Sequence, residues 1–259
     1  MWRDYLNTEY ALEDGILYLR AIYPAVGHAF APPQGSTGRQ AYEQILRFCT
    51  DSGVPARICA VSEVLAKAIL RMFPGSIMYT DRAWSDYLYM SEDIRSLPGR
   101  KFSGQRNHIN RFMREYPAWS FERVTAENLH KVRDFMEKYS SENLRDSPAY
   151  DEGNRKTIEV LDNLELYGMF GGALCVGVEV IGLSLGEAVG DTLFIHVEKA
   201  DTAYHGSYPA LMNQFAQTFV SGGIEFINRE EDDGVEGLRT SKLSYHPVAL
   251  LDKYVVEIR

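Results

Sequence analysis

The chain has 259 residues, with 27 Lys+Arg against 36 Asp+Glu, a formal net charge of −9. At roughly 100–200 residues per domain this length gives one large domain or two small ones. A composition 45% apolar and 12% aromatic excludes disorder as the main state, and the acidity excludes bulk coating of nucleic acid or anionic membrane.

In chain order, Gly15 to Tyr23 is apolar and β-rich and stops at Pro24, which predicts a strand. Ala29 to Gly38 carries Pro32, Pro33, Gly35 and Gly38 and reads as a loop. From Arg39 to Asp51, Ala41, Ile45, Phe48 and Cys49 recur at helical spacing. Arg57 to Val61 is a short strand. Ser62 is placed to cap a helix with Val64, Leu65, Ala68, Ile69, Met72 and Phe73 inward, ended by Pro74-Gly75. Ile77 to Met90 is strand-like and rich in aromatics.

A second series begins after Pro117. Trp119 to Val124 alternates as a strand, and Thr125 is a cap for a helix with Leu129, Val132, Phe135, Met136 and Tyr139 inward. Another helical stretch covers Asn154 to Leu166. Strands follow at Met169–Val176, Val178–Glu187 and Thr192–Glu198, with Gly177 and Val189-Gly190-Asp191 between them; the first pair reads as an antiparallel hairpin. A helix with Leu211, Met212, Phe215, Phe219 and Val220 inward comes next. After it come a strand Ile224–Asn228, a helix near Val235–Leu243 and a last strand Leu250–Ile258. The similar order of elements in the two halves predicts two related α+β units, residues 1–117 and 118–259. No window approaches the roughly 20 apolar residues of a spanning helix, and Met1 to Tyr5 has neither a basic segment nor an apolar h-region. Three widely spaced cysteines (Cys49, Cys59, Cys175) point away from disulfide or zinc frameworks, so a cytoplasmic location and no metal are expected.

Three constellations are candidates for chemistry. Residues 99–114 hold Arg100, Lys101, Arg106, Arg111 and Arg114 with no acid. Ile109, Phe112, Met113 and Tyr116 make one apolar stripe there, and Arg106, Asn110 and Arg114 fall on another face. That face suits phosphate, and it equally suits a solvated helix whose arginines pair with acids of the other unit. The second constellation runs from His196 through Lys199, Tyr204, His205, Gly206 and Tyr208 to Pro209. It is a strand-to-helix turn whose free N–H groups can take an anion and whose glycine permits a close ligand approach. A plain turn explains it as well. The third runs from Asn228-Arg229 through Glu230, Glu231, Asp232 and Asp233 to Arg239 and Lys242, at a strand end where open sheets place ligands. Its acids are candidates for a base or an amine binder, or they complement the dipole of the next helix. No GxSxG, Walker A, GxGxxG or HExxH pattern is present.

Arg100-Lys101-Phe102 with Arg106 to Phe112, Ile195 to Ala200, and Gly237 to Pro247 together resemble the DUF2156 family, related to the C-terminal domain of bacterial phosphatidylglycerol lysyltransferases. The resemblance covers nearly the whole chain. It implies tandem GNAT-like (acyl-CoA N-acyltransferase) folds, each a mixed, mostly antiparallel sheet flanked by helices. It also implies an acyl or aminoacyl transferase, with aminoacyl-tRNA as the donor in lysyltransferase-like and Fem-like members and acyl-CoA in ordinary GNAT enzymes. At the GNAT pyrophosphate loop this chain has Gly206 but carries Tyr208 where a second small residue is usual.

Under that resemblance Glu230, Asp232 and Lys242 are the catalytic candidates. Lys199, Arg239 and Lys242 are cationic donors for an oxyanion, while Glu230 and Asp232 hold an ammonium or take a proton. Arg106, His108 and Arg111 would contact donor phosphates, His205 and Tyr208 would line the donor channel, and Tyr204, Gly206 and Asn228 are further donor- or substrate-binding candidates. No cofactor is required, although acyl-CoA enters under the alternative. The acceptor is a small amine, a peptide or a lipid headgroup. A binding module that keeps the fold without the chemistry is the third reading.

Overall fold

Alternating apolar residues bounded by turn formers become strands, and apolar stripes at three- and four-residue spacing become helices; the segments fall close to where the pattern puts them. The computed structural model describes residues 5–36, 38–142 and 148–259. In chain order the elements are β1 (Glu9–Glu13), β2 (Ile16–Tyr23), β3 (Gly27–Phe30), α1 (Arg39–Ser52), β4 (Ala56–Val61), α2 (Glu63–Met72) and β5 (Ile77–Thr80). Then follow β6 (Asp86–Met90), α3 (Ser91–Ser96), α4 (Ser103–Glu115), β7 (Trp119–Arg123), α5 (Leu129–Glu142) and α6 (Pro148–Asp162). The rest are β8 (Phe170–Val176), β9 (Glu179–Val189), β10 (Thr192–Ala200), α7 (Ser207–Phe219), β11 (Phe226–Asn228), α8 (Glu236–Leu243), β12 (Ala249–Leu251) and β13 (Tyr254–Ile258).

Two compact units result: Met1–Asp86 with Leu251–Arg259, and Tyr87–Leu250. The expected division near residue 117 falls inside the second, between α4 and β7. In the first unit, six strands run in the order β1-β2-β3-β4-β13-β5. All pairs are antiparallel except β3 with β4. Its core gathers Tyr42, Ile45, Ile58, Ile69, Val256 and Ile258. One inward expectation fails here: Val64 is 78% exposed, because α2 buries only Ala66 and Ile69. Phe48, at helical spacing with the buried Ala41, Ile45 and Cys49, is itself half-exposed and lies edge-on to Phe30. Ser62 does cap α2, its hydroxyl accepting from the Leu65 N–H at 3.3 Å.

In the second unit seven strands run β12-β6-β11-β10-β9-β8-β7. β10 and β11 are parallel, and the meander β7 to β10 is antiparallel. Val180 to Gly186 of β9 are all buried, as expected for a central strand covered on both faces. Leu193, Ile195, Phe215 and Phe219 form a core that includes α7, while Leu183, Leu185 and Val197 pack with Val132, Phe135 and Met136 of α5. The whole is an α+β fold with mixed sheets. Among the described residues no helix is long and apolar enough to cross a membrane, no cluster of metal-ligating side chains occurs, and all three cysteines are buried free thiols.

Candidate functional site

The acidic loop after β11 is held from beneath by α8. Lys242, on α8, is buried beneath this loop. Its ammonium donates to the carbonyls of Arg229 at 2.5 Å, Glu230 at 3.1 Å and also Glu231. The same helix sends Arg239 to Asp232, with Nε donating to Oδ2 at 2.9 Å and Nη2 to Oδ1 at 3.0 Å. Asp232 is fully buried and also accepts from the Tyr87 hydroxyl at 2.5 Å and the Gly234 N–H at 2.9 Å. These donors, Arg239 foremost, hold its carboxyl well below the usual range despite burial. Lys242 is pushed down to about 8, by burial first and the Arg229 charge second.

This scaffolding fixes Glu230 in a left-handed backbone conformation, φ 55°, which a non-glycine residue adopts only when its surroundings impose it. The Asn228 side-chain oxygen accepts the Glu230 N–H at 2.7 Å, and the Glu230 carbonyl accepts from the Tyr87 N–H as well as from Lys242. The Glu230 carboxylate is thereby aimed at His196, with Oε1 2.7 Å from Nδ1. On the other side of the ring, Nε2 is 3.1 Å from Oε1 of Glu187. His196 owes its position to a bulge. Ile195 pairs with Gly186 and Val197 with Leu185, so His196 is the extra residue of β10. Gly186 is required there, because a Cβ would lie 2.3 Å from the Phe194 carbonyl oxygen. Burial disfavours the imidazolium, but Glu230 and Glu187 outweigh it and raise the His196 pKa. Side-chain exposures of 16% for His196, 34% for Glu187 and 38% for Glu230 leave both carboxylates open to a ligand.

Of the expected catalytic trio, then, Glu230 alone presents its functional group outward. Asp232 and Lys242 lie beneath the loop and hold it. Arg239 is committed to Asp232, and Asn228 to the Glu230 backbone. His196 opens the second sequence constellation, but its pairing with Glu230 and Glu187 was not legible there, since these partners are 34 and 9 residues away in sequence. Glu198 and Arg229 are a further buried pair beside this loop.

The other expected donor residues fall elsewhere in the unit. Arg106 donates from Nη1 to the carbonyls of Leu97 and of Gly99 (2.7 Å), closing the turn after α3. Arg111 pairs with Glu115 at 2.8 Å and Lys101 with Asp93 at 2.8 Å, so these cations find acids within their own unit. His108 is exposed on α4 and His205 is exposed before α7. Gly206 does permit a close approach, but it is α4 that approaches. A Cβ there would meet the His108 carbonyl oxygen at 2.6 Å, and φ is +87°. Tyr204 donates to Glu179 at 3.0 Å and its ring lies 5.0 Å from Tyr116. Tyr208 and Lys199 do come together, through Tyr139: the two tyrosine hydroxyls are 3.4 Å apart, and the Lys199 ammonium is 5.5 Å from the Tyr139 ring and 4.7 Å from the Tyr150 ring.

The profile of the family "Phosphatidylglycerol lysyltransferase, C-terminal" matches residues 1–257. The chain belongs to that family. Within solved structures, this family member is similar to a conserved protein of unknown function from Bacteroides thetaiotaomicron, with 30% identity, a TM-score of 0.91, and coverage of 100% of this chain and 88% of that one. It shares its fold with the C-terminal (DUF2156) domain of a protein assigned as a lysylphosphatidylglycerol synthetase from Agrobacterium fabrum. There the identity is 14%, the TM-score 0.71, and the coverage 97% and 84%. An uncharacterized protein of Mycoplasmoides gallisepticum is 23% identical over 175 residues, 67% of this chain and 56% of that protein. The chain thus spans little more than half the length of the curated relative it matches.

Proposed function

We propose that this member of the lysyltransferase C-terminal family is an aminoacyltransferase that moves an amino acid from aminoacyl-tRNA to an amine or hydroxyl acceptor. The observation that carries the reading is the outward carboxylate of Glu230, held against His196 by a loop that Lys242 and Arg239 lock from beneath. Attack on an ester carbonyl needs a group to receive a proton or to hold an ammonium, and a half-exposed carboxylate fixed by its backbone supplies one. Within this reading the two sheets are the two GNAT-like units, and the transfer site belongs to the second.

An ordinary acyl-CoA enzyme would keep the glycine before α7 free for pyrophosphate. Here that glycine packs on α4 and Tyr208 is turned to Tyr139, which favours the aminoacyl donor. The acceptor is a small amine, a peptide or a lipid headgroup.

One panel tests this: lysyl- and alanyl-tRNA, and acetyl-CoA, each labelled in the transferred group, against amine and alcohol acceptors. Transfer from charged tRNA is expected, slowed about a hundredfold or more by Glu230→Gln. Transfer from acetyl-CoA alone would replace this reading with the acyl-CoA one.

A further inference from the structure

Two different parts of the fold hold Glu230. The loop and α8 fix its backbone: φ is 55°, the N–H donates to Asn228, and the carbonyl accepts from Tyr87 and Lys242. None of these contacts reaches the carboxylate, whose direction depends on side-chain torsions that the backbone leaves open. Among the described residues, the side chain that meets the carboxylate is His196, with Nδ1 2.7 Å from Oε1. His196 is placed by the sheet. It belongs to β10, its ring lies 6.3 Å from the Phe194 ring with 14° between their planes, and its Nε2 is 3.1 Å from Glu187 of β9. Phe194 and Glu187 are themselves partners in the β9–β10 ladder. A neutral imidazole has one N–H for two carboxylates, whereas the doubly protonated ring donates to both. Burial opposes that form, but the charged groups that face the ring, these two carboxylates, outweigh it.

We propose that Glu187 is a positioning residue for Glu230: through His196 it fixes the Glu230 carboxylate, ionised, in one orientation. Its part in a reaction rests on the transferase reading above; the linkage itself does not. No proton travels along the three groups, since a ring that donates from both nitrogens has no lone pair to accept one. With Glu187 gone, one carboxylate fewer opposes the effect of burial, so the ring becomes neutral at a lower pH. A neutral ring whose proton sits on Nε2 turns a bare Nδ1 towards Oε1, two acceptors face to face, and the carboxylate swings away. Glu230 then keeps its backbone and its exposure and loses its aim. The link is therefore intact below the His196 pKa and lost as pH rises through it.

The test uses the full chain with isotope-labelled histidine, the His196 ring signals being those lost in His196→Gln. In the wild type both ring nitrogens should carry a proton at neutral pH. Glu187→Gln, at a half-exposed strand position, should melt at the wild-type temperature and lower the His196 titration midpoint by about one pH unit. In transfer from charged tRNA, the same variant should lower kcat about tenfold above its own midpoint and leave KM within about twofold. The alkaline limb of its rate profile should move by the amount that NMR reads. In a His196→Gln background, Glu187→Gln should have no further effect on the rate. A role in folding alone would move the melting temperature and leave the midpoint and the limb where they are. The proposal is overturned if Glu187→Gln leaves the His196 midpoint unchanged, if it moves the midpoint but not the limb, or if it slows the His196→Gln variant further. If the wild-type protein transfers nothing from charged tRNA, the transferase reading itself fails, and the midpoint alone decides the linkage.

Discussion

Arg229 holds Glu198 through two hydrogen bonds to one carboxylate oxygen, Nε at 2.9 Å and Nη2 at 2.7 Å, and its guanidinium carbon is 5.2 Å from the centre of the Tyr245 ring. Both partners are buried, with 8% and 13% of their side chains exposed. Charges removed from water gain little net stability as a pair but are costly when one is left alone. Glu198→Leu should therefore destabilise the second unit by about 3 kcal/mol or more. Adding Arg229→Met should recover a large part of that loss, and a double-mutant cycle by chemical denaturation reads the coupling directly.

Replacing Gly206 by alanine should destabilise the protein without any effect that depends on a phosphate ligand. The left-handed backbone costs a side chain roughly 1–2 kcal/mol, and the new Cβ would lie 2.6 Å from the His108 carbonyl oxygen. Thermal melting should show the loss, and the melting shift produced by added pyrophosphate should be the same for both proteins. A shift seen in the wild type and abolished in the variant would restore Gly206 as a ligand-contact residue.

Lys242 gives a pH signature. Its folded-state pKa, about 8, is below its ordinary value of 10.5, so between these two pH values the unfolded chain binds more protons than the folded one. Its contribution to stability therefore rises with pH across that window, by at most about 1.4 kcal/mol per pH unit. The stability of the wild type minus that of Lys242→Met should climb from pH 8 towards pH 10. A flat difference would mean that the three carbonyls keep the ammonium charged throughout.

Asp232 has the opposite dependence. Its carboxyl is held below the ordinary range by Arg239, Tyr87 and the Gly234 N–H, so its contribution is present above the ordinary value of 3.8 and is lost as pH falls through the folded value. Asp232→Asn should cost on the order of 2–3 kcal/mol at neutral pH and flatten the acid limb of the stability curve. It should also disturb Glu230, which makes the His196 imidazole NMR signals a second readout.

The sequence pattern identified the strands of the β8–β10 meander because they are apolar runs ended by local signals, Gly177 and Gly190, each at φ 61°. It could not find the inward face of α8. That helix turns Arg239 and the buried Lys242 towards the loop and leaves Leu238 and Leu243 nearly half-exposed, the reverse of the polarity that periodicity assumes. The acidic loop was visible as a candidate site, since four consecutive acids after a strand are conspicuous. Which acid faces outward was not, because that depends on Tyr87, about 145 residues distant from its partner Asp232. The partners of His196 were hidden for the same reason: the histidine that opens the second constellation meets two acids only when the bulge in β10 turns it between them.

The place of β13 sets an order of events during synthesis. Tyr254–Ile258 is inserted between β4 and β5, pairing with both. Every strand pair of the β7–β11 array lies upstream of it in the chain. The β7–β11 array therefore precedes the interior strand of the first sheet in the chain. Until then the facing edges of β4 and β5 have only each other, or a chaperone, to bind. A released chain truncated after residue 250 should accordingly be protease-resistant over the second unit and sensitive throughout the first.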